Sequence, residues 1–318
     1  MAEQRRARVV VVGSYAVGLM MRTPRIPTRG ETVLGHGFQS MDGGKGSNQA
    51  IACARLGAHT TFVAAVGDDA NGDAALALLA REGVQTTLVR RVAGTPTGIG
   101  FIVVDDRGDN VIAVDLGANR DLSRDDIDRA EEAIAASDVV LAQLEVQPDV
   151  ALYAAAVARR HGVRTILNPA PAQALSDDGL AVVDLLTPNL NEARILSGVA
   201  SDDIVELAGA LCRSGVGAVV LTVGERGAWI AGQGEARLVS PYAVAAVDTT
   251  GAGDAFSAAL AVGLAEGSDL DAAARFACAA GGFSVQSLGT VPSYATRDQL
   301  TSFLRGQRSP SLSSGGIS

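Results

Sequence analysis

The chain has 318 residues, of which 47% are hydrophobic, and a formal net charge of −9. That length and apolar content are enough to bury a large α/β core, while the acidic balance argues against nucleic acid, whose binding needs clustered Lys and Arg. No apolar run reaches the roughly 18 residues of a membrane span and no leader pattern precedes the first Val-rich run, so a cytoplasmic protein with small-molecule partners is expected, with no nucleic-acid or membrane partner.

In chain order, short Val-rich runs alternate with Ala/Leu-rich stretches, the mark of βαβ units around a mostly parallel sheet. The runs 9–12, 61–66, 139–144, 165–167, 185–186 and 218–222 predict strands. The stretches 47–56, 72–82, 148–161, 192–196, 203–214, 255–264 and 271–285 predict helices. Right-handed crossovers would put these helices on both faces and leave a ligand crevice beyond the carboxyl ends of the strands. Two segments break the alternation, about 14–42 and about 95–116, and in the second the runs 98–104 and 110–114 predict a hairpin around Asp106, Arg107, Gly108 and Asp109. The cysteines, Cys53, Cys212 and Cys278, are odd in number, widely spaced and inside helical stretches. They read as reduced core thiols. The Ser/Gly-rich segment 309–318 predicts a disordered tail.

The most informative stretch is Val247-Asp248-Thr249-Thr250-Gly251-Ala252-Gly253-Asp254-Ala255-Phe256. Gly251 and Gly253 permit a tight turn with backbone N–H groups facing one point, and a helix follows, so backbone donors and the helix dipole would both favour negative charge there. Asp254 is out of place in a pure phosphate-binding loop, because a carboxylate repels phosphate. It suits a base acting on a hydroxyl nucleophile. By itself the pattern is also that of an ordinary Gly-rich turn with an acidic first helical turn.

The segment 248–256 resembles the C-terminal signature of the ribokinase (PfkB) family of sugar kinases, and Gly43-Gly44-Lys45-Gly46-Ser47-Asn48-Gln49-Ala50 resembles its N-terminal GGKGxNxA signature. The resemblance continues through 30–33, 67–69, 168–171, 187–189 with Glu192, and 222–227, and covers about 9–304. It implies an α/β fold, a ribokinase-like three-layer sandwich with a mostly parallel central sheet, helices on both faces and a small β-sheet lid. The kinase domain would span 8–306, with lid segments at about 14–42 and 95–116 and a homodimer formed through the lid.

The same resemblance implies transfer of the ATP γ-phosphoryl group to a primary hydroxyl of a pentose-like or related small carbohydrate. Asp254 would be the general base, and the N–H groups of Gly251, Ala252 and Gly253 the anion hole. Asn189 and Glu192 match the motif that holds Mg²⁺ through water, although the pair also reads as a plain helix cap. Thr222, Gly224 and Gly227, with Asn189, Gly253 and Cys278, would take the nucleotide. A K⁺ ion would be ringed by Asp248, Thr250, Ser284, Ser287, Gly289 and Ser293. Gly44, Lys45, Asn48, Glu145 and Asp254 match sugar-contacting positions.

The chain departs from the family at the sugar anchor. Ribokinases carry Asn-x-Asp after the first strand, and here those positions are Ala16 and Gly18. A site lacking the partner of a hydroxyl discriminates strongly against it. Either Asp42, just before the GGKG signature, supplies the carboxylate from another wall, or the substrate lacks those hydroxyls. A nucleoside kinase of the same family and a catalytically inactive nucleotide-binding member are the alternative readings.

Overall fold

The structure is a computed structural model and describes residues 6–232 and 235–307. Its strands are, in chain order, β1 (Arg8–Val12), β2 (Ala16–Thr23), β3 (His36–Gly43), β4 (His59–Gly67), β5 (Val89–Val92), β6 (Gly98–Asp105), β7 (Asn110–Asp115), β8 (Val139–Gln143), β9 (Arg164–Asn168), β10 (Leu185–Leu186), β11 (Ala218–Thr222), β12 (Ala228–Gly232) and β13 (Glu235–Val239). The large sheet has the order β13-β12-β11-β10-β9-β8-β1-β4-β5. Its strands pair in parallel from β11 to β5, and β12 and β13 add an antiparallel edge.

A parallel strand covered on both faces is apolar at successive positions, and β1 shows where each residue goes. Val9 and Val11 face one core, shared with the helices Lys45–Arg55, Ala252–Ala265 and Leu270–Ser284. Val10 and Val12 face the other, shared with Pro148–Arg160 and Ile204–Arg213. The two cores and the sheet between them are the three layers. A separate sheet with the order β3-β2-β6-β7 forms the lid, with β2 and β6 parallel and β6 and β7 joined as the expected hairpin.

The predicted strands and helices are present with boundary shifts. The helix expected from 47 begins at Lys45, because Gly44 can cap it in a conformation closed to other residues. Some short or mostly polar elements have no counterpart among the expected runs. They include β5, the edge pair β12 and β13, and the helix Arg297–Gln307, where Leu300 is the one buried residue among mostly polar ones. The tail 309–318 lies outside the described residues.

Candidate active site

Two helices start side by side without side-chain caps. Five helices elsewhere are capped by Asp69, Ser176, Asn189, Asp203 and Asp269, and Pro148–Arg160 starts uncapped at Gln147 with proline at its first position, whereas Lys45–Arg55 and Ala252–Ala265 begin at glycines in the positive-φ region, Gly44 (φ 92°) and Gly251 (φ 77°). Gly44 is dictated by packing as well as by φ, since a Cβ there would lie 2.7 Å from Tyr15 Cα and 2.8 Å from Ala16 N. At the first helix the missing cap is replaced by Glu145, whose Oε2 accepts from Lys45 N (2.8 Å) and Ser14 Oγ (2.5 Å). At the second, Ala252 N–H closes a turn onto the Thr249 carbonyl (3.2 Å). Among the described residues the N–H groups of Gly251 and Gly253 have no acceptor, so this N-terminus can receive an anion.

Asp254, in the first turn of that second helix, is 5% exposed. Asn48 Nδ2 donates to its Oδ2 (3.0 Å) and Gln49 Nε2 to its Oδ1 (2.9 Å). Gln49 also donates to Asn168 Oδ1 (3.0 Å) and accepts from Gln143 Nε2 (2.6 Å), and Asn168 donates to the Thr187 carbonyl (3.0 Å). One buried amide chain thus runs from β8 and β9 to the carboxylate and fixes its orientation. Burial raises the Asp254 pKa, opposed by the Lys45 charge and the Gln49 and Asn48 hydrogen bonds, while nearby Glu145 adds to the rise. Lys45 is held above its usual range, chiefly by Asp254 and also by Glu145 and Glu192. Glu192 is raised chiefly by burial, with Asp254 contributing. Lys45 is therefore the counter-charge of three carboxylates. Asn48 Oδ1 is buried with no partner among the described residues, an orphaned acceptor next to the Asp254 carboxylate.

The expected nucleotide and cation residues sit along the same end of the sheet. Asn189, at the start of the helix Leu190–Ser197, forms a bridge with Thr222 at the end of β11, and Thr222 N donates to the Pro188 carbonyl (2.9 Å). Gly224 and Gly227 flank a single 3₁₀ turn with positive φ. Cys278 is buried, its thiol pKa pushed up to about 12 by desolvation despite a hydrogen bond at Ala228. Asn189 and Glu192 form a reciprocal capping box, Asn189 Oδ1 accepting from Glu192 N (2.9 Å) and Glu192 Oε2 from Asn189 N (2.8 Å). Cap and ligand are compatible here, because Glu192 keeps its second oxygen.

Asp248 bonds Thr250 N (2.9 Å) and Gly289 N (2.9 Å), tying together the two loops expected to ring a monovalent cation. The Ser284 and Ser293 hydroxyls donate to the Gly281 and Thr290 carbonyls (2.9 and 2.7 Å), so cation ligands there would be mainly carbonyl oxygens. Among the described residues no cluster of three or more His, Cys, Asp or Glu is placed to hold a metal ion directly. Water-mediated Mg²⁺ binding needs no such cluster.

The positions where the resemblance expects a sugar anchor lie on the lid. Ala16 and Gly18 lie on β2 opposite Gly98 and Gly100 of β6, and Gly18 faces Met41 of β3. A Cβ on Gly18 would meet Ile102 Cδ1 at 3.5 Å and Met41 atoms at 3.7 and 4.0 Å, so the position has room for a side chain. Asp42 pairs with Val17, which puts it on the opposite face from Gly18. Its Oδ1 accepts from the buried Tyr15 hydroxyl (2.7 Å). Sequence reasoning assigned no role to Gln49, Asn168, Gln143 or Tyr294. Gln49 and Asn168 stood inside the quoted motifs, but only the fold shows that they meet.

The model of the pfkB family of carbohydrate kinases matches residues 6–297. A ribokinase of Haemophilus influenzae is 38% identical over 302 residues, covering 94% of this chain and 99% of that protein. A deoxyribokinase of Salmonella typhi is 36% identical over 301 residues, covering 93% and 98%. The structure of Arabidopsis thaliana ribokinase complexed with ribose and ATP superposes with a TM-score of 0.88 at 32% identity, covering 95% of this chain and 99% of that one. Signatures, architecture and relatives agree across nearly the whole length, and the chain belongs to the pfkB family as a ribokinase-like carbohydrate kinase.

Proposed function

We propose that this kinase transfers the γ-phosphoryl group of ATP to a primary hydroxyl of a pentose-like sugar, with Asp254 as general base. The observation that carries the reading is a buried carboxylate, held by two amides, in the first turn of a helix whose N-cap has no side-chain partner. Phosphoryl transfer needs an aligned acceptor and stabilised charge more than covalent chemistry. Asn48 and Gln49 aim Asp254 at the acceptor hydroxyl, from which it takes the proton. Burial makes Asp254 a stronger base than a solvated aspartate, and the Lys45 charge opposes part of that rise and favours the ionised form. The N–H groups of Gly251 and Gly253, joined by Ala252 once its turn bond opens, hold the phosphoryl oxygens. The orphaned Asn48 Oδ1, with Gly44, Lys45 and Glu145 around it, accepts from a sugar hydroxyl.

Thr222, Gly224, Gly227 and Cys278 form the nucleotide side, and Asn189 and Glu192 would hold Mg²⁺ through water. Bound there, Mg²⁺ would neutralise charge on the phosphate oxygens. Asp248, Thr250, Ser284, Ser287, Gly289 and Ser293 would surround K⁺. Asp42 we assign to holding Tyr15, because it faces away from Gly18. The acceptor then lacks, or places elsewhere, the hydroxyls that an Asn-x-Asp pair would bind. Exposed apolar side chains crowd the lid at Phe38, Phe101, Val111, Ile112 and Val114, which supports pairing of two copies there.

An ADP-coupled assay over pentoses, deoxypentoses, ketohexoses, polyols and nucleosides tests the reading. It expects a pentose or deoxypentose to be the best acceptor, and a nucleoside as best acceptor would replace it. Light scattering of the purified protein checks the dimer, and replacement of Na⁺ by K⁺ in the same assay checks the monovalent site.

A further inference from the structure

Tyr294 stands beside the start of the helix Ala252–Ala265, next to Gly251. Its backbone is pinned, because Arg55 donates to the Val291 carbonyl (2.6 Å) and the Tyr294 carbonyl (2.9 Å) while Glu82 holds Arg55 (2.8 Å). The side chain is 3% exposed and lies within the apolar core. Its hydroxyl nevertheless has no hydrogen-bond partner among the described residues. A Cβ built on Gly251 would lie 2.6 Å from that hydroxyl and 3.3 Å from Cζ, so the phenol rests against the uncapped helix start, beside the unpartnered N–H groups of Gly251 and Gly253. A buried donor left without an acceptor is costly. Phenylalanine would fill the same apolar volume without that cost, so the oxygen at this place points to an acceptor supplied by a bound group.

We propose that the Tyr294 hydroxyl is a catalytic donor: it donates a hydrogen bond to a non-bridging oxygen of the phosphoryl group held at Gly251–Gly253, during transfer from nucleotide to sugar. The inference rests on the kinase reading above. The phenol keeps its proton throughout, and no bond to it forms or breaks. Burial, with the Asp254 charge adding to it and Arg55 opposing, holds its pKa well above the usual tyrosine range, so it never becomes an anion that would repel phosphate.

The test is Tyr294→Phe in the full chain. Removal of one preorganised donor to developing charge costs about 10²- to 10³-fold where that donor is central, and an auxiliary donor is expected to cost roughly ten- to a hundredfold in kcat. KM for ATP and for the acceptor should change less than about threefold. Calorimetry should find MgADP binding unchanged, while MgADP with aluminium fluoride, a mimic of the transferring phosphoryl, binds at least about tenfold more weakly. The ligand-free Tm should stay equal or rise, since the hydroxyl has no partner to lose. An unchanged kcat and fluoride affinity, an effect confined to the acceptor KM, or a Tm lowered by several degrees would each overturn the proposal and leave the kinase reading standing. Wild-type protein that neither turns over any acceptor nor binds MgADP would overturn both.

Discussion

The floor of the site and the lid above it are built on opposite plans. In the floor, polar side chains are buried and joined in one chain from Gln143 through Gln49 to Asp254 and Asn168. On the lid, the strand positions nearest the site carry Ala16, Gly18, Gly98 and Gly100, bordered by Ile102 and Met41, with no polar side chain on that patch. A transferring phosphoryl group is the same whatever the acceptor, so a floor that handles it benefits from preorganisation. The acceptor is the variable part, and on the proposed reading the lid would set it by which hydroxyls it leaves unpartnered. Specificity can therefore change by deletion of side chains while the floor keeps its chemistry.

The largest effect should come from breaking the floor. Asp254→Asn is expected to lower kcat by about 10²- to 10⁴-fold with little change in KM for ATP, since a positioned base contributes on that order. A variant within tenfold of wild type would mean that another group takes the proton. The pH profile sharpens the same point. The base must be ionised, and burial raises its pKa above the ordinary aspartate value of 3.8. Activity should thus fall as pH drops through a midpoint above 3.8, with that limb absent from the residual activity of Asp254→Asn.

What the sequence disclosed follows the same division. The floor was legible because its chemistry needs particular residue types at fixed spacings, so that Gly251, Gly253 and Asp254, and Gly44 with Lys45 and Asn48, stand within a few positions of one another. The amide chain that orients Asp254 was not legible. Gln49, Gln143 and Asn168 are far apart in sequence and meet only because β8, β9 and the helix Lys45–Arg55 adjoin. The six predicted strands of the parallel sheet announced themselves as apolar runs, whereas β13 is the outer edge strand, where exposed Arg237 and Leu238 break the pattern. The side on which Asp42 stands relative to Gly18 was not legible either, for a reason of parity. One residue of register decides which face of a strand a side chain takes, and sequence proximity to Gly44 carries no information about that.

A middle-sized effect should follow from restoring polarity to the lid. Ala16→Asn with Gly18→Asp puts two hydrogen-bonding groups on the bare patch, and the open contacts at Gly18 and its strand backbone make the change sterically mild. Each sugar hydroxyl buried without a partner costs about 1 to 3 kcal/mol, so kcat/KM for ribose should rise tenfold or more with Tm nearly unchanged. Wild-type protein that already phosphorylates ribose at about 10⁴ M⁻¹s⁻¹ or above would end the idea that the lid has altered the acceptor.

The smallest effect is expected at Asp42, and it tests whether floor and lid are correctly divided. The Tyr15–Asp42 hydrogen bond ties β3 of the lid to the residue just before β2. Hydrogen bonds to a charged group contribute about 1.5 to 3 kcal/mol, less where solvent reaches the carboxylate, as it does here. Tyr15→Phe and Asp42→Asn should each lower stability by roughly 1 kcal/mol, and the double variant should cost little more than either alone, because both remove the same contact. Turnover should stay within about threefold of wild type, since the carboxylate lies on the face away from Gly18. Loss of sugar phosphorylation in Asp42→Ala, with Tm unchanged and Tyr15→Phe fully active, would instead make Asp42 the sugar anchor and move the boundary between the two regions onto β3.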